Sequence, residues 1–354
     1  MSTPICADTS TSRVVRITRA RGRRTAPVRP RGRRGVPSAA LAVALVGALL
    51  TGCGLRLETP PPVEPSPDAR EQVRARTVDD ALALEAAADA ARTVTKDPDA
   101  VALLDDVAEF SAAHARALGG VYDSGIERDE DAEPTPTPSP TTVATTAQDV
   151  LALLGTTATR ATTDASTTED GPLARVLASV AVARADLSVR LAQAVGDGST
   201  APGTPDEIVV PAEVDPALAG PLARAHDEAG FALEVVAARG AKDDRTSVLA
   251  QARAQRDRAE QWAAAAGISG TEGETRLGQY ALPADLDADG TLARLVQDVH
   301  LGVAQAAAAA VAQVAAGERG PYLDELRVAV DRARTAGALP QAFPGLPEQA
   351  DAAS

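Results

Sequence analysis

A chain of 354 residues carrying 35 basic against 49 acidic side chains is long enough for more than one domain, and its net charge of −14 argues against a nucleic-acid partner because such a surface repels phosphate. Two cysteines exclude a disulfide framework, which leaves packing to supply stability. Ala is abundant and Lys96 and Lys242 are the only lysines, which reads as the codon habit of a high-GC genome and carries no functional weight.

The first informative stretch is Ala39 to Cys53. Ala39 to Leu50 is uncharged and about 12 residues long, too short to cross about 30 Å of hydrocarbon but the right size for a signal-peptide core. Arg31, Arg33 and Arg34 precede it, and Leu50-Thr51-Gly52-Cys53 closes it in the manner of a bacterial lipobox. Leu50, Thr51 and Gly52 are the expected signal-recognition residues: the small Thr51 and Gly52 let the backbone enter a protease site, and the Cys53 thiol takes a diacylglyceryl group. A single acyl chain anchors marginally, at about 0.8 kcal/mol per buried CH₂, so two or three chains are needed for durable attachment. The competing reading is a buried apolar helix whose cysteine is incidental; basic flank, core length, small residues and Cys53 falling in the required order favour lipidation. A signal of ordinary size would begin at Val28, so a physiological start downstream of Met1 is expected. Arg33-Arg34 is a twin-arginine pair, but Gly35, Val36 and Pro37 replace the bulkier apolar residues that export route prefers, so general secretion is expected.

Removing the signal peptide 1–52, with its ten arginines and one aspartate, leaves 25 basic and 48 acidic residues, a net charge of about −23. Cys6 leaves with it and Cys53 is acylated, so no disulfide is expected in the mature chain. A tether, 53–67, follows; Pro60, Pro61, Pro62, Pro65 and Pro67 favour an extended polyproline spacer.

From Asp68 onward, periodic Ala, Leu and Val predict helix throughout, and so an all-α fold of two helical bundles. The first bundle spans 68–196. Helix one is expected over Ala69–Thr93, capped by Asp68, with Val73, Val78, Leu82, Leu84 and Ala88 inward. Asp97-Pro98 starts a second helix, carrying Leu103, Val107, Phe110 and His114, which Gly119 and Gly120 close. Residues 121–142, rich in Asp, Glu, Pro and Thr, bury too little apolar surface to order themselves and are read as a disordered crossover. A Thr-rich third helix is expected over Val143–Thr163 and a fourth over Pro172–Val195, stopping at Gly196.

A linker, 197–214, contains Pro202, Pro205 and Pro211, and a second bundle is expected over 215–347, followed by a tail, 348–354. Asp215-Pro216 starts helix five, with Leu218, Leu222, Ala225, Ala229, Leu233 and Val236 at three- and four-residue steps and a kink or split start at Pro221. Helix six runs about Asp244–Ala266, helix seven about Thr291–Ala316, and helix eight from Gly320 to Gly337 with Leu323, Leu326 and Val330 inward. The uncharged run Leu301–Ala316 falls short of a membrane span and suits close helix approach. Five of the seven aromatics, Phe231, Trp262, Tyr280, Tyr322 and Phe343, lie in this half, which predicts the better-specified core there.

Two helical hairpins joined by a crossover containing Tyr280-Ala281-Leu282-Pro283, then a tail with Ala342-Phe343-Pro344-Gly345-Leu346-Pro347, resemble the actinobacterial ferritin-like domain family of unknown function over about residues 216–347. The resemblance implies a four-helix bundle with one long connection and brings no established activity. Leu84-Glu85 with Arg92 parallels Leu233-Glu234 with Arg239, an echo of duplication between the halves.

A ferritin-like di-iron centre needs Glu with His three residues later on two helices. His114 has Ser111 three residues before it, His226 has Ala223 and His300 has Gln297, so no such pair exists. His226 with Glu228 or Glu234, joined by Asp298 or His300, is a weaker metal constellation, because partners two residues apart point to different sides of a helix. The plainer expectation is surface or helix-end histidines, with Asp105, Asp106 and Glu109 on a solvated face. No nucleophile-base pattern or phosphate loop stands out, so no catalytic, cofactor-binding or metal residue is assigned. The expected function is a non-catalytic module bound to the extracytoplasmic face of the cell membrane through lipidated Cys53, binding an envelope protein or small ligand, with no nucleic-acid partner. Alternatives are a metal-binding or degenerate ferritin-like enzyme and a carrier of apolar ligands.

Overall fold

In the computed structural model, residues 66–123, 145–198 and 208–349 are described. The signal peptide with Leu50, Thr51, Gly52 and Cys53, nearly all of the tether, most of the 121–142 loop and half of the 197–214 linker lie outside them.

Eight helices and no strand occur among the described residues, in agreement with the all-α expectation. They are α1 (Ala69–Arg92), α2 (Pro98–Ala117), α3 (Ala147–Thr167), α4 (Gly171–Ala194), α5 (Pro216–Arg239), α6 (Arg245–Ala265), α7 (Thr291–Val311) and α8 (Gly320–Thr335). Side-chain oxygens of Asp68, Asp97, Asp170 and Asp215 accept backbone N–H groups at the starts of α1, α2, α4 and α5, satisfying donors that the helix leaves free. Gly119, Gly196, Gly267 and Gly337 take positive φ just beyond α2, α4, α6 and α8, where a side chain would clash.

Three boundaries depart from expectation, each for a physical reason. Helix α3 begins four residues late, because Thr146 and Asp149 form a reciprocal capping box, the Thr146 N–H donating to Asp149 Oδ2 at 2.8 Å, and it runs four residues further than expected, to Thr167, where Thr168 turns extended. Of the kink or split start expected at Pro221, the split does not occur, because α5 continues through it as one helix. The proline ring is exposed, and Gly220 before it has no Cβ to collide with the ring. Helix α7 stops five residues early, where Arg319 Nε claims the carbonyl of Val311, its last residue, and that of Val314 just beyond it, at 3.0 Å each. In α1, Leu82 is 39% exposed against the expected inward stripe, which runs instead through Val78, Ala81, Leu84 and Ala88.

Short turns pair α1 with α2, α3 with α4, α5 with α6 and α7 with α8 as hairpins. Helix α1 packs on α3, α2 on α4 and α5 on α7, while α4 also packs on α7 and α8. One hydrophobic core follows from that last contact. It includes Val78, Leu104, Leu154 and Leu177 from the first four helices, Leu222, Trp262, Val303 and Leu326 from the last four, and Phe343 of the tail. Each fully buried leucine contributes about 1.5–3 kcal/mol. The many core alanines contribute less individually but let the helix axes approach closely. Ala232, Val236 and Leu295 form a smaller cluster, covered by Leu282 and Leu286 of the 267–290 crossover.

The α3–α4 and α7–α8 turns interlock. Arg319, 1% exposed, also donates through Nη1 to the carbonyls of Ala165 at 2.9 Å and Thr168 at 2.5 Å, and Gly317 N–H donates to Ser166 O at 2.7 Å. A Cβ on Gly171 would lie 2.0 Å from the Ala312 carbonyl oxygen, so only glycine permits this approach.

Candidate functional site

The segment after α8 turns back over α2, α4 and α7 and is held at five points. Gln297 Nε2 donates to Ala336 O at 2.9 Å, Arg190 Nη2 to Ala338 O at 2.7 Å and Ser179 Oγ to Pro344 O at 2.8 Å. His114 Nε2 meets Ala342 O at 2.7 Å, with the Phe343 ring edge-on 5.1 Å from the imidazole. Arg175 Nη1 pairs with Glu348 at 2.6 Å. Gly345 sits at φ 80°, and a Cβ there would come within 2.8 Å of both Ala304 O and Ala308 Cβ. The tail is thus a fixed wall.

Between that wall, Glu109 and Phe110 of α2, and the outer side of α7 lies a cleft of about 540 Å³, within the range of sites that enclose a small organic molecule. Leu301, Leu346, Pro340 and Pro347 give it apolar surface; Gln305, Gln341 and Gln349 give it amide donors and acceptors. Its charged lining residues are Glu109 and Asp298, and no lysine, arginine or histidine lines it. Among the described residues neither carboxylate has an ion-pair partner. Asp106, one turn before Glu109, is half-buried; burial first and then repulsion from Glu109 push its carboxyl above the ordinary value, despite attraction from Arg190.

A second polar group occupies the centre of the α5–α8 bundle. His226 of α5 and Glu325 of α8 are 0% and 1% exposed, with His226 Nε2 3.3 Å from Glu325 Oε2. His226 Nδ1 meets Gln255 Oε1 at 2.6 Å, Trp262 Nε1 donates to Glu325 Oε1 at 2.9 Å, and Arg258 Nε lies 3.5 Å from the same oxygen. Burial alone would raise the Glu325 carboxyl, but attraction to His226, the Trp262 N–H and Arg258 outweigh it, so the group is held below its ordinary value and stays ionised. His300 of α7, 1% exposed, is driven down to about 4 by burial first, then by repulsion from Arg332 and His226. The N-terminal bundle has its own polar centre: Arg184, 1% exposed, donates to Thr157 and Thr77 carbonyls at 3.4 and 3.3 Å and lies 3.9 Å from Asp80. Burial lowers its guanidinium to about 10, with Asp80 opposing.

The expectation of surface or helix-end histidines is therefore corrected: all three are inside. His114 does lie in the last turn of α2, but the tail covers it. Two of the imidazoles find partners far along the chain, 228 residues for His114 with Ala342 and 29 for His226 with Gln255, so no local spacing reveals them. The weaker metal constellation is not assembled. Glu228 is half-buried, Glu234 is exposed and paired with Arg256 at 3.1 Å, and Asp298 faces the cleft while His300 faces inward. Among the described residues no three His, Cys, Asp or Glu side chains converge so as to hold a metal ion. Asp105 is exposed and pairs with Arg92, as a solvated face implies, but Glu109 on the same helix lines the cleft.

Glu325, Gln255 and Arg258 were not singled out from sequence. Glu325 was findable, since it sits on the same inward stripe of α8 as Tyr322, Leu326 and Ala329, and a carboxylate there needs a buried partner. No helix among the described residues is long and apolar enough to cross a membrane. The chain matches no protein-family model, no curated protein and no solved structure.

Proposed function

We propose that this chain is a lipid-anchored binding protein of the cell envelope, moored through Cys53 to the outer face of the cytoplasmic membrane and presenting its helical body beyond a proline-rich tether. The observation that carries the binding role is the cleft of about 540 Å³ whose wall is a tail pinned by residues of α2, α4 and α7. A preformed cavity binds without first ordering a loop, so little of the interaction energy is lost to conformational entropy. An acidic body also suits this placement: repelled by anionic headgroups, it stands off from the bilayer with the cleft free.

We read the α5–α8 half as a ferritin-like four-helix bundle, on the strength of its two hairpins and the long 267–290 connection between them. Its centre favours a structural role over the alternative metal-dependent enzyme. Glu325 Oε1 is taken by Trp262 and Arg258 and His226 Nδ1 by Gln255, which leaves a metal only Glu325 Oε2 and His226 Nε2, two atoms 3.3 Å apart with no third His, Cys, Asp or Glu ligand converging on them among the described residues.

Cys53→Ser in the full chain tests the anchor. The wild type is expected in the membrane fraction with the added mass of diacylglycerol and acyl chains, and the variant in the soluble fraction with neither. A variant that stayed membrane-bound at unchanged mass would refute the mooring.

A further inference from the structure

We infer that the cleft between α2, α7 and the tail binds a cationic amphiphile, a small organic amine with an apolar body. The inference rests on reading the cleft as a binding site and names the class of ligand it takes. Its two charged groups, Glu109 on α2 and Asp298 on α7, come from different helices onto one cavity, and among the described residues no cation neutralises either. The other polar groups lining it are neutral amides, such as Gln305 and Gln341. An ammonium entering here gains two carboxylates and loses its hydration to amide oxygens that replace it. A carboxylate or phosphate meets like charge with no compensating donor of opposite sign. The net charge of −14 works in the same direction, because an acidic chain raises the local concentration of cations and speeds their arrival. Leu301 and Leu346 supply the apolar floor, and a cavity of about 540 Å³ takes a body of some ten to fifteen heavy atoms. A bare metal ion would leave that apolar surface unused.

The test is isothermal titration of the full chain with three probes of one shape: 4-phenylbutylamine, 4-phenylbutanol and 4-phenylbutyrate. The amine is expected to bind about fivefold or more tighter than the alcohol, to weaken as salt is added, and the carboxylate to bind least. The double variant Glu109→Gln/Asp298→Asn should bring the amine down to the affinity of the alcohol while leaving the alcohol unchanged. Gly302→Phe places a ring in the cleft from a position where an added Cβ meets nothing within 4 Å, so it should fold normally and remove binding of both. Equal binding of amine and alcohol, both abolished by Gly302→Phe, would overturn the charge selectivity and leave the cleft a binding site. No binding of any probe, or binding insensitive to Gly302→Phe, would overturn the ligand class and the site together.

Discussion

An imidazole buried without a carboxylate partner is cheapest in its neutral form, and His114 and His300 are both held there. His114 is driven down to about 3 by burial first and then by Arg184, with the Ala342 carbonyl pulling weakly the other way; His300 is driven to about 4. In the unfolded chain both titrate near about 6.5. Between that value and the folded values the unfolded state takes up protons that the folded state refuses, so stability is full above about pH 6.5 and falls as pH drops. The expected slope is about 1.4 kcal/mol per pH unit for each histidine once well below pH 6.5. Asp80 and Asp186, raised chiefly by burial, act in the opposite direction: the folded state takes up their protons as pH falls through their raised values toward the unfolded value of about 4, which offsets part of the decline. Urea midpoints measured from pH 7.5 to 5 should therefore decline, and His114→Gln or His300→Gln should each remove about half of the decline. A pH profile that neither substitution altered would mean that neither ring is held neutral.

Helices here are joined less by large side chains than by the absence of them. Gly171 opens α4 where the backbone of Ala312 passes, and Gly345 lets the tail cross α7 at Ala304 and Ala308. Arg319 then fixes the same junction with hydrogen bonds to four carbonyls, Val311, Val314, Ala165 and Thr168. The added methyl of Gly171→Ala cannot be absorbed by a rotamer change, since the atom it meets is a carbonyl oxygen at 2.0 Å, and should destabilise by about 1–3 kcal/mol or more. Gly302→Ala, in open space inside α7, should instead stabilise by about 0.5–1 kcal/mol through lower unfolded-state entropy. Thermal midpoints of the two variants should move in opposite directions, and a shared direction would mean that the interlock of the two turns is not tight.

Helix α4 belongs to both halves of the molecule. Its Leu177 and Ala178 lie in the one core that both halves share, Asp186 reaches Arg334 of α8 at 3.3 Å, and Ser179 holds the tail. Cutting the chain at 215 would expose the faces of α7 and α8 that α4 covers and leave Arg319 without Ala165 and Thr168. A buried guanidinium stripped of acceptors is costly. Calorimetry of the full chain should accordingly give one cooperative transition, and an isolated 215–354 fragment should lose the persistent fold. Two well-separated transitions, or a fragment as stable as the whole, would mean that the halves are energetically independent.

Local signals foretold most of the helices. Asp97-Pro98 and Asp215-Pro216 marked starts, Gly196 and Gly337 marked stops, and the three- and four-residue spacing of apolar side chains marked the inward faces, because caps and periodicity are settled within a few residues of themselves. The interior positions of His114 and His226, the sharing of α4 and the meeting of carboxylates from two helices at one cleft could not be read that way. Each depends on groups tens to hundreds of residues apart, and which partner arrives is fixed by how whole helices dock, an outcome of summed packing that no short window of residues contains.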